Sequence, residues 1–399
     1  MKFLSVIILV LLQTFAYSQR GPLSKGNATT NNYYTNISYE FVNGKIIIPV
    51  SIEENLYQFL FDTGAPNLIS SELLQRLQTK TVDSIIVTDA NSKRKKMAVV
   101  AIPNLKIGDV SFENVSSLVY AYEENIIFDC FEIDGIIGSN MLKESIVQIL
   151  PKENSLQITN NKKRLLHIPV NAAKLSLLGD QRSPYVWIKL IGEKSGKEQV
   201  LIDTGMNGLY DLSVKHHNLL KTKNIYNNVS AAIGSKSISL FGNADQNEQF
   251  RILMPSLEIN NTTFKNILVE TTSDNNSRIG SDIFKYGNVT IDFKHKRFYF
   301  DSFENTNDLS EKIAGFSPTL VDDKLVVGII WDTDLKESLQ LGDEIISINN
   351  IDFSNTNICD LVIEESIFKK SDSLNIVFKD STGQLKAMVF EKKLPLYSR

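Results

Sequence analysis

Cysteine is almost absent from this chain: there are two in 399 residues, Cys130 and Cys359. Two cysteines cannot make a disulfide framework. They fall in segments assigned below to different domains and are expected to act as small apolar residues. Histidine is nearly as scarce, and His167, His216, His217 and His295 form no zinc-ligand spacing. A Ser-His-Asp signature and a phosphate-binding glycine loop are also missing. The chain has no cationic excess. Its net charge of −4 argues against a nucleic-acid partner. The one dense basic run, Lys93-Arg94-Lys95-Lys96, reads as a solvated hairpin. Apolar runs of membrane length are lacking too. Phe3 to Leu12 is too short to span a bilayer comfortably. Lys2 precedes it and Ala16-Tyr17-Ser18 follows, so residues 1–18 read as a secretory signal peptide. The expected location is therefore secreted, periplasmic or cell-surface, with no stable membrane span after cleavage.

What is present is an ordinary globular composition, 42% hydrophobic and 22% charged, in a chain long enough for two or three domains. Residues 19–35 are rich in Gly, Ser, Asn and Thr and are expected to form a flexible leader. Beyond them the pattern is dominated by short strands. Lys45 to Ile52, a turn at Glu53-Glu54-Asn55 and Leu56 to Phe61 make one hairpin. Tyr185 to Leu190, a turn at 192–196 and Gln199 to Ile202 make a second. A short helix is expected at Ser71 to Leu77.

Each hairpin leads into the same tripeptide, Asp62-Thr63-Gly64 in one case and Asp203-Thr204-Gly205 in the other. The repetition continues downstream. Pro103-Asn104-Leu105-Lys106-Ile107 is echoed by Pro255-Ser256-Leu257-Glu258-Ile259, and Phe112-Glu113-Asn114-Val115 by Phe264-Lys265-Asn266-Ile267, at the same offset. Ile136-Ile137-Gly138 and Arg278-Ile279-Gly280 follow, and the Asp-to-Gly spacings in the two halves differ by one residue. Landmarks repeated in one order at near-equal spacing indicate a duplicated unit. A duplication can bring two carboxylates face to face. Two such groups about 3 Å apart cannot both ionise freely, and the pair can serve as acid and base together.

At these residues the chain resembles the aspartic peptidase superfamily, with both lobes in one polypeptide. The likeness covers roughly residues 40 to 302. Ala65 after the first Asp-Thr-Gly matches retropepsin-like enzymes, whereas Met206 after the second fits neither these nor pepsins. Arg278 departs from the apolar residue usual at its position. The resemblance implies a mainly β, two-lobed β-barrel fold, with lobes at 36–170 and 171–305. It implies Asp62 and Asp203 as the catalytic pair and Thr63 and Thr204 bracing the loops across the lobes. It also implies support from Gly64, Gly205, Gly138 and Gly280. Ile85 to Ala101 is the candidate flap over a peptide, with its turn near Asp89 to Ser92. The second lobe's equivalent, about Ser230 to Leu253, is longer. No metal or cofactor is called for.

A third unit is expected at 310–399. Leu325 to Ile330 is strand-like, and Leu341-Gly342-Asp343-Glu344-Ile345-Ile346-Ser347-Ile348-Asn349-Asn350 follows it. Thr356 to Lys370 has helical apolar spacing. This stretch resembles the PDZ family, a small α+β domain that binds peptides by adding a strand to a sheet edge. Gly315-Phe316 is the candidate loop for a peptide carboxylate. The resulting expectation is an aspartic endopeptidase acting on a peptide or protein, with a PDZ-like domain that recruits substrate or a C-terminal peptide ligand. The alternative is a catalytically inactive peptide-binding protein built on the peptidase fold.

Overall fold

The computed structural model describes residues 21–120, 126–354 and 356–395. The expected signal peptide lies outside them. The fold is mainly β and has two lobes. In the first lobe Lys45–Ile52 pairs antiparallel with Asn55–Asp62. Glu53 and Glu54 both take positive φ, 50° and 67°. A two-residue turn of that hand matches the twist of the strands it joins. The second hairpin, Ser183–Ile191 with Ser195–Ile202, repeats the arrangement. The short helix Ser71–Leu77 is capped by Ser70, whose hydroxyl accepts from Leu73 N at 3.0 Å.

The two lobes share a floor. Tyr34–Ser38, Ser155–Thr159 and Ile146–Leu150 of the first lobe continue, all antiparallel, into Gly287–Asp292, Arg297–Ser302 and Ala173–Leu178 of the second. The seam is the pairing of Val147 with Ile291, both fully buried. Covalently distant halves thus become one sheet, which fixes where the two Asp-Thr-Gly loops can meet.

Above the cleft two long hairpins approach each other. The first joins Thr81–Thr88 to Arg94–Ile107 through a turn at Asp89, whose carboxylate accepts from Asn91 N and Lys93 N. The second joins Asn227–Gly234 to Asn247–Ile259 and carries a small extra hairpin, Ile238–Ser239 with Gly242–Asn243, in the added length. Their tips are hydrogen-bonded. Phe241 N donates to Asp89 Oδ2 at 3.0 Å, Asn91 Nδ2 to Gly242 O at 2.8 Å, and Ser237 Oγ to Asn91 Oδ1 at 2.8 Å.

The C-terminal unit has its own core, including Phe316, Ile330, Ile348, Phe378 and Phe390, inside a small α+β arrangement. It does not hang free. Lys324–Ile330 pairs with the second flap at Gly234 and Ile329. Arg251, on the return strand of that flap, enters the unit. It donates to Ala314 O and Ser317 Oγ and lies 4.5 Å from the Trp331 ring, while Glu270 holds its Nε at 2.7 Å. Burial opposes ionisation of Glu270, but Lys236 and Arg251 outweigh it and hold its carboxyl at about 2.

Two sequence expectations are corrected here. Cys130 and Cys359 are not separate apolar residues; they form a disulfide with a Cα–Cα distance of 4.7 Å. Folding lays the helix Ile358–Ile363 of the C-terminal unit against Ile126–Cys130 of the first lobe, and no local pattern encodes that contact. The leader is also built in, from residue 21 onward. Asn27–Ala28 pairs with Val110–Tyr120, Leu23 is buried, and the Leu23 and Ser24 carbonyls accept from Asn140 and Lys143. Leu23 and the backbone hold it, while Asn27, Thr29, Thr30, Asn31 and Asn32 stay exposed.

Candidate active site

Asn55–Asp62 ends where Gly135–Gly138 runs parallel to it, with Ile137 beside Phe61 and Gly138 beside Asp62. In the second lobe Arg278–Ile279 runs parallel to Ser195–Ile202, with Ile279 beside Ile202. Each Asp-Thr-Gly loop is therefore held between the strand that delivers it and the x-Ile-Gly strand alongside. An added Cβ at Gly138 would meet Pro66 C at 2.2 Å, and one at Gly280 would meet Gly208 O at 2.6 Å, so both glycines answer to close backbone approach.

The loops lock together through their threonines. Thr63 Oγ1 donates to Ile202 O at 2.7 Å and accepts from Thr204 N at 3.2 Å. Thr204 Oγ1 donates to Phe61 O at 2.8 Å and accepts from Thr63 N at 3.0 Å. Both side chains are buried, and each spends donor and acceptor on the opposite lobe. The carboxylates interlock as well. Asp62 lies against Gly205 and Asp203 against Gly64, so closely that a Cβ at Gly205 would fall 2.3 Å from Asp62 Oδ2. Gly205→Ala should leave the lobes folded but displace Asp62. A reacting group moved by about 1 Å costs on the order of 10²-fold in rate. Peptide hydrolysis beside a circular dichroism spectrum would check this, and an active Ala variant would contradict it.

The two acids have different surroundings. Asp62 Oδ1 accepts from Gly64 N at 2.8 Å. Asp203 Oδ1 accepts from Gly205 N and Met206 N, and its Oδ2 from Arg278 Nη1 at 3.2 Å. Burial, and then the neighbouring Asp203, push the Asp62 carboxyl up to about 7. Lys45 Nζ donates to Gly205 O and lies within the field of both acids; burial in the cleft lowers its pKa. Ala65 and Met206 take equivalent places after the two glycines: Ser139 N donates to Ala65 O and Ser281 N to Met206 O.

The cleft around the pair has a volume of about 700 Å³. Its first-lobe wall is apolar, with Leu60, Leu68, Phe128, Phe131 and Ile136. Its second-lobe wall is charged, with Asp211, Asp274 and Arg278. Val87 to Ala90 and Ser235 to Leu240 of the flaps roof it, and Ile329, Trp331 and Val362 of the C-terminal unit reach it. The structure brings together Asp62, Thr63, Gly64, Asp203, Thr204 and Gly205, with Gly138 and Gly280 behind them. Gly315 and Phe316 lie apart from this centre; Phe316 is buried in the C-terminal core. Sequence reasoning missed Lys45, for which no pattern exists. It noted Arg278 only as a departure from an apolar position, and that departure was the signal for the ion pair.

No curated protein matches the chain. A solved retropepsin-like aspartic protease from Rickettsia conorii is 18% identical, over 33% of this chain and 95% of its own, with a TM-score of 0.25. Residues 48–141, which include Asp62-Thr63-Gly64 and the first flap, match the sequence model of the Aspartyl protease family.

Proposed function

We propose that the chain is an aspartic endopeptidase. The observation that carries this reading is the reciprocal Thr63–Thr204 lock, which sets two carboxylates from different lobes side by side in one roofed cleft. A peptide lying between floor and flaps would place its scissile carbonyl at the pair. One carboxylate takes a proton from the attacking water while the other, protonated, donates to the carbonyl oxygen. The gem-diol then collapses as the proton passes to the leaving nitrogen. Two groups this close titrate as a unit, and the reaction needs the singly protonated form.

The direct test is hydrolysis of quenched fluorescent casein, with and without a statine-type peptide whose hydroxyl takes the place of the attacking water. Cleavage blocked by that peptide supports the reading. Peptide retention without cleavage would instead support the binding-protein alternative. The raised Asp62 carboxyl adds a pH expectation. The proton needed for catalysis is present below about 7 and is lost as the pH rises through that value. Plotted against pH, kcat/KM should therefore fall on the alkaline side from near neutrality, and a rate still climbing at pH 9 would point to a different catalyst.

We further read the C-terminal unit as PDZ-like and as serving the substrate. Supporting this, it contributes Trp331 and Val362 to the cleft, and its Phe316–Val321 strand pairs with Lys324–Ile330 on one side. A location outside the reducing cytoplasm is supported by the disulfide.

A further inference from the structure

We propose that Arg278 is a positioning residue that makes the catalytic pair unequal, fixing the negative charge on Asp203 and the proton on Asp62, so that each lobe has one chemical role. This rests on the peptidase reading above. The internal repeat supplies the control. Ile136 and Arg278 open the two x-Ile-Gly strands and take the same place in them: Ile136 pairs with Leu60, and Arg278 with Leu201. The first lobe fills that place with an apolar side chain packed among Leu60, Leu68, Phe128 and Phe131. The fold therefore does not require a cation there.

The second lobe nevertheless places one. The Arg278 side chain is only 10% exposed, and its Nη1 lies 3.2 Å from Asp203 Oδ2 and its Nη2 3.0 Å from Asp274 Oδ2. Its Nε is buried without a partner. Placing a guanidinium out of water is costly unless its partners compensate. Here the compensation comes from a catalytic carboxylate and a neighbour that aims the guanidinium at it.

The groups facing Asp203 are Arg278, Lys45, Asp62, Asp211, Asp274 and Tyr185. Lys45 acts on both catalytic acids, on Asp62 ahead of Asp203, so the choice does not come from it. Arg278 makes its ion pair with Asp203 and not with Asp62. The backbone reinforces the choice: Asp203 Oδ1 accepts from two N–H groups and Asp62 Oδ1 from one. Donors gathered on one carboxylate favour its charged form.

The division of labour follows. The Asp203 carboxylate takes the proton from water as the new C–O bond forms, and Asp62 gives its proton to the carbonyl oxygen. When the C–N bond breaks, Asp203 returns its proton to the leaving nitrogen and the gem-diol hydroxyl returns one to Asp62. Both side chains end as they began.

The test uses the full chain and quenched fluorescent casein across pH. Arg278→Leu removes a positive charge from the pair, so both limbs of the kcat/KM profile should move to higher pH, by about one unit or more. Arg278→Lys keeps the charge and should keep the limbs near their wild-type positions, even with a lower kcat. Asp274→Asn removes a negative charge and should move the limbs the opposite way. Carbon-13 NMR of the aspartate carboxyls at about pH 5 should show Asp62 protonated and Asp203 ionised, each signal assigned by its loss in Asp62→Asn or Asp203→Asn. A Leu profile that superimposes on wild type, a Lys profile displaced as far as the Leu one, or a proton found on Asp203 would each overturn the proposal. Because Lys and Asn are mild changes, two arms survive if the Leu variant fails to fold. Loss of the peptidase reading looks different: the wild type would leave casein uncut, or hydrolysis would persist in Asp62→Asn or Asp203→Asn.

Discussion

Asp62→Asn and Asp203→Asn should each lower casein hydrolysis by at least about 10³-fold while the circular dichroism spectrum stays that of the wild type. General acid–base participation by a single group is worth roughly 10² to 10⁴, and in the proposed cycle each carboxyl serves twice. Folding should survive, because the loops are held by other atoms. The Thr63 and Thr204 hydroxyls make the contacts between lobes, and the floor sheet pairs Ile146–Leu150 with Gly287–Asp292. An amide also fills the same space. Full activity in either variant would exclude a two-carboxyl mechanism whatever the rest of the site does.

The second large effect is expected from the disulfide. Cys130 and Cys359 are 229 positions apart in sequence. Cross-linking so long a loop restricts the unfolded chain by roughly 5 kcal/mol in the loop-entropy description, and native strain lowers the realised gain. Cys130→Ser with Cys359→Ser should therefore move the urea midpoint down markedly. The same change removes the covalent tie between the helix Ile358–Ile363 and the first lobe, leaving Val362 held in the cleft wall by packing and by the hydrogen bond from Asn43 Nδ2 to its carbonyl at 2.7 Å. An unchanged midpoint for the double variant would show that the bond adds nothing to global stability.

The two-lobed part of this architecture was readable in the sequence because it is written twice. The matched spacing from Asp62 to Gly138 and from Asp203 to Gly280 points to two loops that meet and to the strands beside them. The hairpins were equally legible, since a strand such as Lys45–Ile52 alternates against a turn that only a few backbone shapes permit. What could not be read is what depends on one copy alone. The disulfide joins two helices that share no pattern. Arg251 finds Ala314 and Ser317 across a unit boundary. The flap tips meet through Asp89 and Asn91, polar residues whose type suggests only a turn. The leader misled because it is held by Leu23 and by its backbone, and a polar composition reports on neither. Periodicity reports which face of an element is covered and is silent about what covers it.

The linkage between Cys130 and Cys359 also alters the connectivity of the molecule. Once it forms, the polypeptide is a covalent ring with two tails, and the whole second lobe, Asp203 included, lies on the ring. A single backbone cut anywhere on that ring opens it without releasing a fragment. The second flap, residues 227–259, lies on the ring, so a nick there leaves the chain covalently whole; the first flap, residues 81–107, lies on a tail, where a nick severs what precedes it.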